Sequence, residues 1–147
     1  MNIEKFCEKY EFGKVINIGK ISGGLMHKMF KVETDKGIYC VKVLNPEVMS
    51  RKEAYSNFVV SEWVSNLANK NGIPVSSALN IDGNYLTKLD DMYYMVFGFV
   101  DGKTLKDEEI TIEHCKKIGN ILARIHSLDY KEIELEPNIV EYKRLYD

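Results

Sequence analysis

One lysine inside an apolar run restricts what this chain can fold into more than any other feature. The run is Ile38-Tyr39-Cys40-Val41-Lys42-Val43-Leu44. Its composition is that of a strand covered on both faces, where an ammonium group is costly unless a carboxylate or an anionic ligand meets it. Just upstream, Ser22-Gly23-Gly24 forms a turn whose glycines can adopt positive φ and leave backbone N–H groups facing a concavity suited to anions. Residues 19–44 therefore have two readings. One is a nucleotide phosphate held between turn and lysine; the other is a β-hairpin with a snorkelling lysine.

The flanking sequence supplies the rest of the fold. Ile3, Phe6, Cys7 and Tyr10 recur at helical spacing and predict a short amphipathic helix over 2–10, ended by Gly13 and laid across a sheet. Strands are expected at 14–21, 27–33 and 38–44. Asp35-Lys36-Gly37 makes a tight turn with Gly37 at positive φ, and Asn45-Pro46 stops the third strand. A long helix over 52–71 carries the stripe Val60, Trp63, Val64 and Leu67, expected to face the sheet, with Gly72 as its stop. Short strands over 78–81 and 85–89 flank the turn Asp82-Gly83-Asn84. The most apolar segment, 92–100, reads as a central strand running into an extended connector. Thr111 caps a second helix over 111–128, with Ile112, Cys115, Ile118, Leu122 and Ile125 in phase. The charged tail, 129–147, has only a weak helical hint at 139–145. This order predicts an α+β fold, a mostly antiparallel five-stranded sheet with one principal packed helix.

Bulk properties exclude several function classes. The 147 residues, 45% hydrophobic and 29% charged, fit one globular domain. A net charge of −2 with lysines interspersed among acidic residues disfavours nucleic-acid binding. No run approaches the ~18 apolar residues of a membrane span, and the N-terminal sequence lacks a signal-peptide core. Cys7, Cys40 and Cys115 have neither disulfide nor zinc spacing and are expected as reduced, buried thiols of a cytoplasmic protein.

Taken together, SGGLMHKMFKV, YCVKVL, SEWVSNLANKNGIPV, YYMVFGFVDGKTL and IGNILARIHSLD resemble, in order and spacing, the N-terminal ATP-binding lobe of the aminoglycoside phosphotransferase and choline kinase family of the protein-kinase-like fold. The resemblance implies that residues 1–100 form a nucleotide-binding lobe, and that 101–147 hold the hinge exit and the first helix of a second lobe. It implies ATP as ligand, as Mg-ATP in a complete enzyme. Lys42 takes the place of the lysine on the α- and β-phosphates, the task of a compact point charge. Glu62 takes the place of its helix partner. On a helical wheel Glu62 lies nearly opposite the Val60/Trp63/Leu67 stripe, and Glu53 lies nearer to it. Glu62 is retained because Phe58 and Val59 supply a second apolar flank. Ser22, Gly23 and Gly24 take the place of the phosphate turn. Cys40, two residues before Lys42, shares its side of the strand and lines the adenine pocket. Met95 stands at the back of that pocket, and the backbone from Phe97 through Phe99 to Val100 offers groups to the adenine edge. His27 either touches a phosphate or is structural.

The sequence departs from the family in its turn, which lacks G-x-G-x-x-G, and in the catalytic segment. No His-x-Asp occurs anywhere in the 147 residues; His126 is followed by Ser-Leu-Asp. The expectation is a nucleotide-binding portion of an ATP-dependent small-molecule phosphotransferase, truncated and inactive alone. Its partners are the nucleotide and either the missing C-terminal lobe or a second copy, met through helix 112–127. The alternative is a non-catalytic interaction module built on the same lobe.

Overall fold

A computed structural model describes residues 2–22 and 26–131. Helix α1 (Ile3–Lys9) starts where the Asn2 side chain accepts the Lys5 N–H (2.9 Å). It buries Ile3, Phe6 and Cys7, the stripe that the periodicity predicts. Gly13 then lies at φ +99°, and the next amide, Lys14 N–H, donates to the Asp35 carboxylate (2.8 Å).

The sheet comprises β1 (Val15–Ile21), β2 (Lys28–Thr34), β3 (Gly37–Val43), β4 (Thr87–Leu89) and β5 (Met92–Gly98), in the order β1-β2-β3-β5-β4. Every neighbouring pair is antiparallel. Gly37 does take positive φ, but at +158° it is close to extended. Thr34 closes this turn: its hydroxyl donates to Phe12 C=O (2.7 Å) and accepts the Lys36 N–H (3.1 Å).

Register assigns each face. Lys31 opposes Cys40, Met29 opposes Lys42, and across β5 Cys40 opposes Phe97 while Lys42 opposes Met95. With a side-chain period of two, these residues share one face. Val32, Val41, Val43, Tyr94 and Val96 occupy the other and pack with α1 in the first core. There Phe6, fully buried, stacks on Tyr94 with ring centroids 4.5 Å apart. The second core, on the Lys42 face, is Leu44, Ala78, Leu86 and Met95, flanked by Phe58 and Val59.

Asn45 and Pro46 stop β3 as expected and also begin a short helix, α2 (Pro46–Met49), with Asn45 as its cap. The principal helix α3 (Ala54–Lys70) runs to Gly72, at φ +69°. Its packed face corrects the expected one. Trp63 is 45% exposed, whereas Ala54, Glu62 and Ala68 are buried and Phe58 and Val59 meet the second core. Of the strands expected over 78–81 and 85–89 only β4 forms, and Asp82 and Gly83, both at positive φ, make a tight turn before it. Only single bridges remain there, Ala78 to Phe97 and Ile81 to Asn84.

After a 3₁₀ turn (Asp107–Glu109), Thr111 caps α4 (Ile112–His126). Arg124 ties α4 to the end of α3 by donating to the carbonyls of Asn71 (3.1 Å) and Gly72 (3.0 Å). A cation there complements the helix C-terminus. The α4 stripe is otherwise open: Ile112, Ile118 and Leu122 are exposed. Cys115 is exposed too, contrary to the expectation of three buried thiols, because α4 leaves this face unpacked. The expected helical turn at 139–145 lies outside the described residues. Among the described residues, no helix is long and apolar enough to cross a membrane.

Candidate functional site

Between the open face of β1–β3 and the chain leaving β5 lies a cavity of about 920 Å³. Lys42 and Cys40 line it together, as their two-residue spacing on β3 requires. Lys42 is half-buried, and its Nζ sits 5.3 Å from the centroid of the Phe58 ring. Loss of solvent holds the ammonium below the usual lysine range, and the Glu62 carboxylate and the Cys40 thiol oppose that shift. None of the ion pairs within 4 Å among the described residues includes Lys42. Burial raises the Cys40 thiol above its ordinary value, with Lys42 pulling the other way.

Glu62 is buried on the sheet side of α3, whereas Glu53 is exposed at the helix start. Its carboxylate does not close on Lys42. Oε2 accepts the buried Ala78 N–H at 2.6 Å, and the neighbouring Leu79 N–H donates to Val96 C=O (2.7 Å). One glutamate thus anchors the segment after Pro74, Val75 and Ser76, which wall the cavity, while its charge acts on Lys42. Asn69 Nδ2 donates to the Ser77 hydroxyl (2.7 Å) and adds a second tether to the same segment.

Phe97, Gly98, Phe99 and Val100 also line the cavity. The Phe99 N–H donates to Ile38 C=O (3.3 Å), so it is already spent on the sheet. Alternation along an extended chain turns the backbone groups of Gly98 the other way. Within 97–100, Gly98 therefore turns its main-chain groups away from β3. Met95 is fully buried beside Leu44 and Ala78 on the Lys42 face, behind the lining and not part of it. Ser22 is an exposed bend after β1; Gly23 and Gly24 lie outside the described residues. His27 is half-buried, and its Nδ1 accepts the Asn45 N–H (3.1 Å).

Lys20 and Lys31 also line the cavity, and among the described residues no carboxylate does. Lys31 pairs with Glu33 (3.0 Å) and reaches over the Phe99 ring (4.8 Å to centroid). That contact pulls the Glu33 carboxyl below its ordinary range. Sequence reasoning passed over Lys31, although the alternation that sets Cys40 beside Lys42 also sets Lys31 beside Met29. Phe58 carried a signal of the same kind, one helical turn before Glu62.

A five-stranded antiparallel sheet with one long helix on the face that carries Lys42 is the architecture of a kinase-like N-terminal lobe. It superposes on a spectinomycin phosphotransferase solved with ADP and spectinomycin, at a TM-score of 0.66 and 13% identity, over 86% of this chain and 37% of that one. Residues 17–140 match the family model described as the phosphotransferase enzyme family, APH, and the chain belongs to that family. Among curated proteins it is similar to the homoserine kinase of Hyphomonas neptunium, with 26% identity over 97% of this chain and 42% of the relative. It is equally similar to that of Methylobacillus glycogenes, with 26% identity over 84% of this chain and 37% of the relative. The chain thus spans about two fifths of the length of the relatives it matches.

Proposed function

We propose that this chain binds the ATP donor of a small-molecule phosphotransfer in the cavity beneath β1–β3. The observation that carries the reading is the state of Lys42. Its ammonium is half-desolvated, lacks a carboxylate within 4 Å among the described residues, and faces a cavity lined by two more lysines and no acid. A polyanion is the ligand that relieves this arrangement. Lys42 meets the α- and β-phosphates, with the Glu62 charge behind it. The turn at Ser22, Gly23 and Gly24 covers the phosphates. Cys40 and the chain at 97–100 hold the base, and Met95 backs the pocket. With no carboxylate in the lining, Mg²⁺ enters on the nucleotide and not through a ligand from these residues.

Residues 1–100 supply this lobe and 101–147 begin a second. The exposed Ile112, Ile118 and Leu122 of α4 form the surface that the second lobe or another copy covers. These residues supply the donor half of the reaction, and no His-x-Asp segment is among them. The names of the two curated relatives make homoserine the first acceptor to assay once a second lobe is supplied. Isothermal titration with ATP and ADP tests the donor site. Binding is expected to be measurable and to be lost in Lys42→Ala; affinity unchanged by that substitution refutes the site.

A further inference from the structure

His27 lies three positions beyond Gly24, the last residue of the Ser22-Gly23-Gly24 stretch. We infer that His27, as the Nε2–H tautomer, is a second phosphate-binding group beside Lys42. This rests on the donor-site reading above and extends it to a further residue.

The tautomer follows from one contact. Nδ1 accepts the Asn45 N–H at 3.1 Å, so the lone pair is on Nδ1 and the proton of the neutral ring is on Nε2. That N–H makes no hydrogen bond among the described residues. The same contact fixes the ring, since Asn45 is itself held as the cap of α2. His27 and Lys42 also converge on one side chain. The imidazole meets the Phe58 ring edge-on with centroids 5.6 Å apart, and Lys42 Nζ lies 5.3 Å from the same centroid. Lys42 lines the cavity, and His27 and Phe58 lie beside it, outside the lining. Burial and the Lys42 charge both hold the imidazole below its usual range, so at neutral pH it is an uncharged donor and does not repel Lys42. An anion drawn to Lys42 meets this fixed N–H as well, and a preset donor loses little freedom on binding.

Two substitutions separate the nitrogens. In His27→Asn the amide oxygen replaces Nδ1 and keeps the Asn45 contact, but nothing reaches the place of Nε2. In His27→Gln the amide nitrogen reaches that place, but the Asn45 contact is lost. Titration of the 147-residue chain and both variants with ATP, ADP and adenosine, alongside thermal unfolding, reads the difference. His27→Asn is expected to weaken ATP and ADP about tenfold, the usual effect of losing a hydrogen bond to a charged group. It should leave adenosine affinity and the unfolding temperature unchanged. His27→Gln is expected to keep ATP affinity and to unfold at lower temperature. A His27→Asn variant that binds ATP as the unmodified chain does, or that loses ATP and adenosine equally, overturns the inference and leaves the Lys42 site intact. An unmodified chain that binds no ATP refutes both.

Discussion

The Glu62–Ala78 contact gives a stability prediction whose size can be worked from its parts. Ala78 is 3% exposed, and its N–H reaches Glu62 Oε2 at 2.6 Å. Glu62→Ala leaves that donor buried without an acceptor, a loss of about 1–3 kcal/mol. It also removes one packed methylene, at about 0.8 kcal/mol. The sum is roughly 2–4 kcal/mol. For a chain of this size each kcal/mol lowers the unfolding temperature by about 3–4 °C, so the expected drop is on the order of 10 °C. Glu62→Gln retains an oxygen acceptor for Ala78 and exchanges a charged partner for a neutral one, at about 1 kcal/mol. The two variants are compared by circular dichroism melting and by denaturant titration. If Glu62 serves only Lys42, both substitutions act on nucleotide affinity and neither moves the melt. A Glu62→Ala protein melting within about 2 °C of the parent, or a Glu62→Gln protein as destabilised as Glu62→Ala, refutes the anchoring role.

The three thiols should react in a set order with an aromatic disulfide reagent at pH 8. Cys115 is exposed and reacts first; Cys40 is slower and is shielded by bound nucleotide; Cys7, pushed up to about 11 by burial, reacts only on unfolding. Equal rates for all three would contradict the described packing. Phe6→Ala, at a fully buried ring, should cost about 3–5 kcal/mol in a denaturant melt. Leu122→Gln, at a side chain 48% exposed on α4, should change stability by less than about 0.5 kcal/mol and raise solubility. The reverse order would mean that α4, not α1, seals a core.

What the sequence made legible follows the periods that backbone geometry imposes. The alternation of β3 placed Cys40 and Lys42 on one face, and the i, i+3, i+4 pattern of Ile3, Phe6 and Cys7 predicted α1 packed across the sheet, which the structure sets on the opposite face. The packed face of α3 was misassigned because Trp63 weighs heavily in any apolar stripe, while the face that meets the sheet mixes Phe58 and Val59 with an acid. That acid is buried because an amide sixteen residues later needs an acceptor, a non-local demand with no trace in helical spacing. Lys31 escaped for the opposite reason. Its alternation was visible, but a strand lysine gains meaning only when register brings it opposite Cys40 and over Phe99.

The edge strand β1 has a kinetic consequence. It is hydrogen-bonded along one side only, to β2, its five central residues are exposed, and Val15 alone reaches a core. Peeling it away breaks one ladder and uncovers neither packed layer, so its opening free energy is local and well below that of the whole molecule. The roof of the cavity can therefore open and reclose many times within the lifetime of one folded chain. Substitutions that toughen the core around Phe6 raise the melting temperature and leave the opening rate of this edge strand where it was.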